Sequence, residues 1–103
     1  MKFPLLLNSS TNEVIKINNP EFLIGREKSL VNYILVDKYI SRMHCEIITR
    51  NDKYYVKDLG SYNGTYLDNL RLELYREYPL EPYSILQLSN TKFLFLISES
   101  EEQ

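Results

Sequence analysis

Residues Asp58 to Asp68 read DLGSYNGTYLD, and the fold follows from how this stretch is understood. The chain has three glycines, Gly25, Gly60 and Gly64, and two of them fall here within five positions. Glycine reaches positive φ without a steric penalty, so a chain that uses it so sparingly marks a turn of unusual backbone angles. The segment KYYVKDL runs into this turn and TYL leaves it, both short and rich in β-branched and aromatic residues. That composition on either side of a glycine turn reads as strand, turn, strand. The remaining glycine closes FLIGRE, directly before Arg26.

Working outward, the apolar period is two almost everywhere. KFPLLL and VIKI flank NSSTNE, which has hairpin composition, and EFLIG and YILV follow. MHCEIITR and KYYVKDL join at Asn51-Asp52, a pair that tolerates positive φ and predicts a tight hairpin. In the first arm Cys45 and Ile47 share one face, while His44, Glu46 and Ile48 share the other. In the second, Tyr54 and Val56 oppose Tyr55 and Lys57. After the glycine-rich turn come TYL, RLEL, SILQL and KFLFLI. No segment sustains a 3.6-residue period. Short strands spaced by turns predict an all-β sandwich or barrel. The expected organisation is one domain over residues 1–97, followed by an acidic tail or linker start at 98–103.

Composition narrows the function. Hydrophobic residues make up 44% and charged residues 25% of the 103, a globular balance that supports a core without disulfides or metal. A formal net charge of -2 provides no basic field, which argues against nucleic acid as a partner. FPLLL is too short for a membrane span, so no membrane insertion is expected, and a single cysteine fits a cytoplasmic protein. Ser41, His44 and Asp58 are the residue types of a hydrolase triad, but they lack the Gly-x-Ser-x-Gly elbow, so no catalytic residue is assigned. His44 and Cys45 are adjacent in a strand and point to opposite faces, which rules out a shared metal. No cofactor is implied.

The turns are more informative. Arg26 follows Gly25 at the end of an apolar strand, Ser41 and Arg42 stand where the next strong strand begins, and Asn63-Gly64 lies in the glycine turn. A sandwich gathers such junctions at one end. There a guanidinium, a hydroxyl, an amide and turn N–H groups would make an anion site.

The ordered set Gly25-Arg26, Ser41-Arg42-Met43-His44 and Asp58-Leu-Gly-Ser-Tyr-Asn-Gly-Thr65 resembles the forkhead-associated (FHA) domain family. PLEPYSILQLSNTKFLF is similar to that family's final hairpin, so the resemblance covers roughly residues 3 to 97. It implies a β-sandwich of about eleven strands, of the SMAD/FHA type, that binds phosphothreonine peptides through loops at one end. By position, Arg26 would pair with the phosphate, Ser41 would donate its hydroxyl and Arg42 would add a contact. Asn63 would hold the peptide backbone. His44 would brace the loops from within, while Gly25, Gly60, Ser61, Gly64 and Thr65 would shape them. Selectivity is expected from the loops at Lys38-Tyr39 and Asn90 to Lys92.

The sequence departs from the family pattern in three places. Tyr62 stands where a small polar residue commonly contacts phosphate, so it is expected to flank the peptide. Tyr83-Ser84 replaces a Gly-Asp turn, and Ser89 replaces a common glycine. The leading expectation is a monomeric phosphothreonine-reading module in Ser/Thr kinase signalling, of bacterial type and part of a larger protein. The alternative is an assembly module that kept the fold and lost phosphate dependence through Tyr62.

Overall fold

The computed structural model describes residues 2–99. Eleven strands follow one another: β1 (Lys2–Asn8), β2 (Val14–Lys16), β3 (Glu21–Gly25), β4 (Tyr33–Ile34), β5 (Cys45–Arg50), β6 (Lys53–Asp58), β7 (Thr65–Leu67), β8 (Leu70–Arg71), β9 (Glu77–Pro79), β10 (Ile85–Leu88) and β11 (Thr91–Glu99). Among the described residues there is no helix. The strands form a six-stranded sheet in the order β2-β1-β11-β10-β7-β8 and a five-stranded sheet in the order β4-β3-β5-β6-β9.

Period-two burial explains the packing of the sheets. In β1, Leu6 points into the core between Leu5 and Leu7, and in β11 Phe93 and Phe95 do the same. Facing them from the five-stranded sheet are Ile24, Ile47 and Val56, all fully buried. An edge contact between Tyr54 and Phe95, with ring centroids 5.5 Å apart, links the layers. Cys45 is buried in this core, and burial pushes its thiol pKa up, so it behaves as a small apolar residue.

The turns obey local chemistry where they are short. Asn51 and Asp52 both take positive φ and close β5 onto β6, as their composition predicts. Asn8 caps the β1–β2 turn by accepting from the N–H groups of Ser10 and Thr11. Tyr83 and Ser89, which stand where the family pattern has other turn residues, take φ of 73° and 55°. The glycine conformation persists there without glycine, at a cost that surrounding contacts must offset.

Several boundaries differ from the sequence expectation, and YILV, for one, is strand only at Tyr33–Ile34. Strand β9 was not anticipated, because three residues ending in proline carry little pattern of their own. Its pairing with β6 defines it. RLEL is strand only at Leu70–Arg71, since Leu72 turns into the core. Ser98 and Glu99 continue β11 past residue 97, because they pair with Phe3 and Lys2. The remainder of the acidic segment, residues 100–103, lies outside the described residues.

Candidate functional site

The expected site residues come from adjoining ends of neighbouring strands. Arg26 follows β3, residues 41–44 lead into β5, and residues 59–64 leave β6. These three strands are neighbours in the five-stranded sheet, whereas β7 belongs to the other sheet. The glycine turn is therefore the chain's crossing from one layer to the other. It needs Gly60 at φ 86° and Gly64 at φ 92°, both in the region that side chains avoid.

Asp58 organises this crossing. Its Oδ2 accepts from the N–H groups of Gly60 and Ser61 at 2.9 and 3.1 Å. Its Oδ1 accepts from the Ser61 hydroxyl and, at 2.6 Å, from the buried Thr65 hydroxyl. The carboxylate thus serves four donors and is itself buried. In the sequence Asp58 stands as a triad residue type and as the first residue of the FHA-like set, with no role of its own in the turn. The signal for its real place was an aspartate two and three residues before the N–H groups of a Gly-Ser pair.

His44 ties the loops together. It is fully buried, its Nδ1 accepts from the Ser41 N–H at 3.1 Å, and its Nε2 donates to the Gly64 carbonyl at 2.9 Å. Both ring nitrogens are used by backbone, which requires the neutral imidazole protonated at Nε2. Burial lowers its pKa, against the opposing pull of the Gly64 bond and the Asp58 carboxylate. The Gly64 carbonyl also accepts from the Ser89 N–H, which brings the β10–β11 turn to the same place. No relay joins Ser41, His44 and Asp58, because each is committed to loop backbone or hydroxyls.

Gly25 acts by close approach. A Cβ there would lie 2.2 Å from the Arg42 carbonyl oxygen and 2.8 Å from its carbon. Bare of side chain, β3 comes near enough for the Arg26 N–H to bond Ser41 O at 3.0 Å and the Glu27 N–H to bond Arg42 O at 3.2 Å. Arg26 and Ser41 are held side by side as a result.

The exposed groups then converge. Arg26 is exposed, its Nε donates to the Ile40 carbonyl at 2.9 Å, and among the described residues neither Nη group of its planar fork has a partner. Ser41 Oγ accepts from the Tyr62 N–H at 2.9 Å, and among the described residues its own proton has no acceptor. Asn63 Nδ2 donates to the Tyr39 carbonyl at 2.8 Å, which presents its Oδ1 and second N–H. Arg42 is exposed and paired with Glu27 at 3.4 Å. Tyr62 is 87% exposed, and only its backbone N–H is seen to meet the Ser41 hydroxyl. Tyr39 and Asn90, from the two expected selectivity loops, line one cleft beside Asn63. Among the described residues no group of three or more His, Cys, Asp or Glu is placed to hold a metal ion.

The sequence pattern of the FHA domain matches residues 22–89, two thirds of the chain. The chain belongs to the FHA domain family. The FHA domain-containing protein FhaB of Mycolicibacterium smegmatis is 41% identical over 58 residues, which are 56% of this chain and 37% of that protein. The chain spans well under half the length of the curated relatives it matches. The solved MEK1 FHA domain in complex with the HOP1 pThr318 peptide superposes with a TM-score of 0.79 at 29% identity, over 93% of this chain and 97% of that one. Mycobacterium tuberculosis EmbR, solved in complex with a low affinity phosphopeptide, has the same fold. Its TM-score is 0.88 at 21% identity, over 98% of this chain and 26% of that one.

Proposed function

We propose that this FHA domain binds phosphothreonine peptides and mediates phosphorylation-dependent protein–protein interaction in Ser/Thr kinase signalling. It would act as a monomeric cytoplasmic module, one domain of a larger protein. The observation that carries this reading is the exposed Arg26 guanidinium, fixed through Nε and with no partner for either Nη group among the described residues, beside a Ser41 O–H that has no acceptor among them. A phosphate brings close to two negative charges and three acceptor oxygens at neutral pH, which such a fork and hydroxyl are suited to meet. Asn63 stands next along the rim, where its amide would bond the peptide backbone. A module without phosphate dependence is the weaker reading, because Arg26, Ser41 and Asn63 are all retained and a degenerate site would have lost at least one of them.

Calorimetry of one peptide in phosphothreonine, phosphoserine and unmodified forms tests the proposal. Losing one partner of a phosphate pair costs about 2–5 kcal/mol, and the solvent exposure of Arg26 places it at the low end. Arg26→Ala should therefore weaken binding about 30-fold, and Arg26→Lys should rescue it only in part. Equal binding of the phosphothreonine peptide to wild type and Arg26→Ala would remove the assigned anion site.

A further inference from the structure

Four side chains run in a row straight across the outer face of the six-stranded sheet. Arg71 of β8 lies opposite Tyr66 of β7, Tyr66 opposite Gln87 of β10, and Gln87 opposite Lys92 of β11. Directly opposed residues project from the same face, and their neighbours Thr65, Leu86, Leu88 and Phe93 point the other way into the core. The row has a cation at each end and a neutral polar pair between them. Tyr66 and Gln87 also line the cleft beside Asn63, about 330 Å³ in volume, with Tyr39, Ser89 and Asn90. None of these lining residues is charged.

Arg71 is held in place at the edge of this cleft. Its guanidinium sits over the Tyr66 ring, 5.8 Å from the centroid. Its Nε and Cζ stand 3.1 Å from where a Cβ on Gly64 would lie, so the guanidinium fills the space that the glycine leaves open. Arg42, Arg50 and Arg76 each have a carboxylate partner, whereas among the described residues Arg26 and Arg71 have none. Carboxylates near Arg71 in sequence are engaged elsewhere. Asp68 accepts from the Ile85 N–H, and Glu73 pairs with Arg76.

We propose that Arg71 forms a second, anion-binding subsite that reads a carboxylate or a further phosphate on the bound peptide. The inference rests on the phosphothreonine reading, which lays the peptide across Asn63 and hence along this cleft. A stacked guanidinium loses little freedom on binding, so it discriminates better than a loose surface lysine. Exposure keeps the effect small, about five-fold for a carboxylate and more for a dianionic phosphate.

The test is fluorescence anisotropy with phosphothreonine peptides. Each flanking position in turn carries glutamate, glutamine, lysine or phosphoserine. Wild type, Arg71→Gln, Arg71→Glu and Arg26→Ala are compared, with unphosphorylated copies of every peptide. At one position, or two adjacent ones, glutamate should exceed glutamine about five-fold in wild type, and phosphoserine should exceed glutamate if the source is a second phosphate. The preference should vanish in Arg71→Gln and turn toward lysine in Arg71→Glu. A flat scan with intact phosphothreonine dependence overturns this inference alone, as does a preference that survives Arg71→Gln. An acidic preference that needs Arg71 but not phosphothreonine keeps the subsite and overturns the phosphothreonine reading. Failure of every peptide to bind overturns both.

Discussion

Replacing Gly25 by alanine adds one methyl group at the closest backbone approach in the site. The new Cβ would lie 2.2 Å from the Arg42 carbonyl oxygen, where ordinary contact needs about 3.4 Å, so the two segments must part by roughly 1.2 Å. The bonds from Arg26 N–H to Ser41 O, Glu27 N–H to Arg42 O and His44 N–H to Ile24 O all cross this gap at 2.9–3.2 Å. At about 1 kcal/mol each, their loss costs about 3 kcal/mol. Alanine stiffens the unfolded chain and returns about 0.4–1 kcal/mol, so the clash wins and the net loss is about 2–3 kcal/mol. For a domain of this size that lowers Tm by about 10–20 °C in a thermal melt. Binding should suffer separately, since Arg26 and Ser41 would no longer sit side by side. Calorimetry of the folded variant at low temperature should show phosphothreonine peptide affinity reduced by about ten-fold or more. A variant that melts within about 2 °C of wild type and binds equally well would refute the steric account of Gly25.

Asp58→Ala strands four donors, one of them the buried Thr65 hydroxyl, and should cost about 3–5 kcal/mol in urea denaturation. Asp58→Asn keeps one acceptor and lets the hydroxyls turn, so about 1–2 kcal/mol is expected there. His44 titrates below its ordinary pKa in the folded chain, so on acidification the unfolded chain takes up the proton first. Its contribution to stability is complete above about pH 6.5 and is lost as pH falls from there through the folded pKa. Thermal melts across that window should show the loss in wild type and a smaller slope in His44→Gln. Tyr62→Thr should change phosphothreonine peptide affinity by less than about three-fold, while Tyr62→Ala should weaken peptides with apolar neighbours most. If Tyr62→Thr instead turned a non-binder into a binder, the phosphate-independent reading would be the right one.

Local chemistry wrote most of the architecture into the sequence. Period-two burial is a property of each segment, so strands such as β5 and β6, and the Asn51-Asp52 turn between them, are legible without a partner. The ordered Gly-Arg, Ser-x-x-His and Asn-Gly-Thr groups likewise identified the residues now found at one rim. What depends on distant neighbours was not legible. Strand β9 exists because β6 pairs with it, and Tyr83 and Ser89 hold glycine-like angles because their backbones bond Phe95 and Gly64. Gly25 is required by the Arg42 carbonyl across the sheet, and Asp58 by four donors that only the crossing between layers gathers around it. Nothing in the sequence singles out Arg71. Only the register of β8 on β7 sets it over Tyr66 and against Gly64. Periodicity and turn composition act over a few residues and survive in the sequence, whereas close approach, shared acceptors and cross-strand rows belong to pairs of segments and arise only when the sheets are assembled.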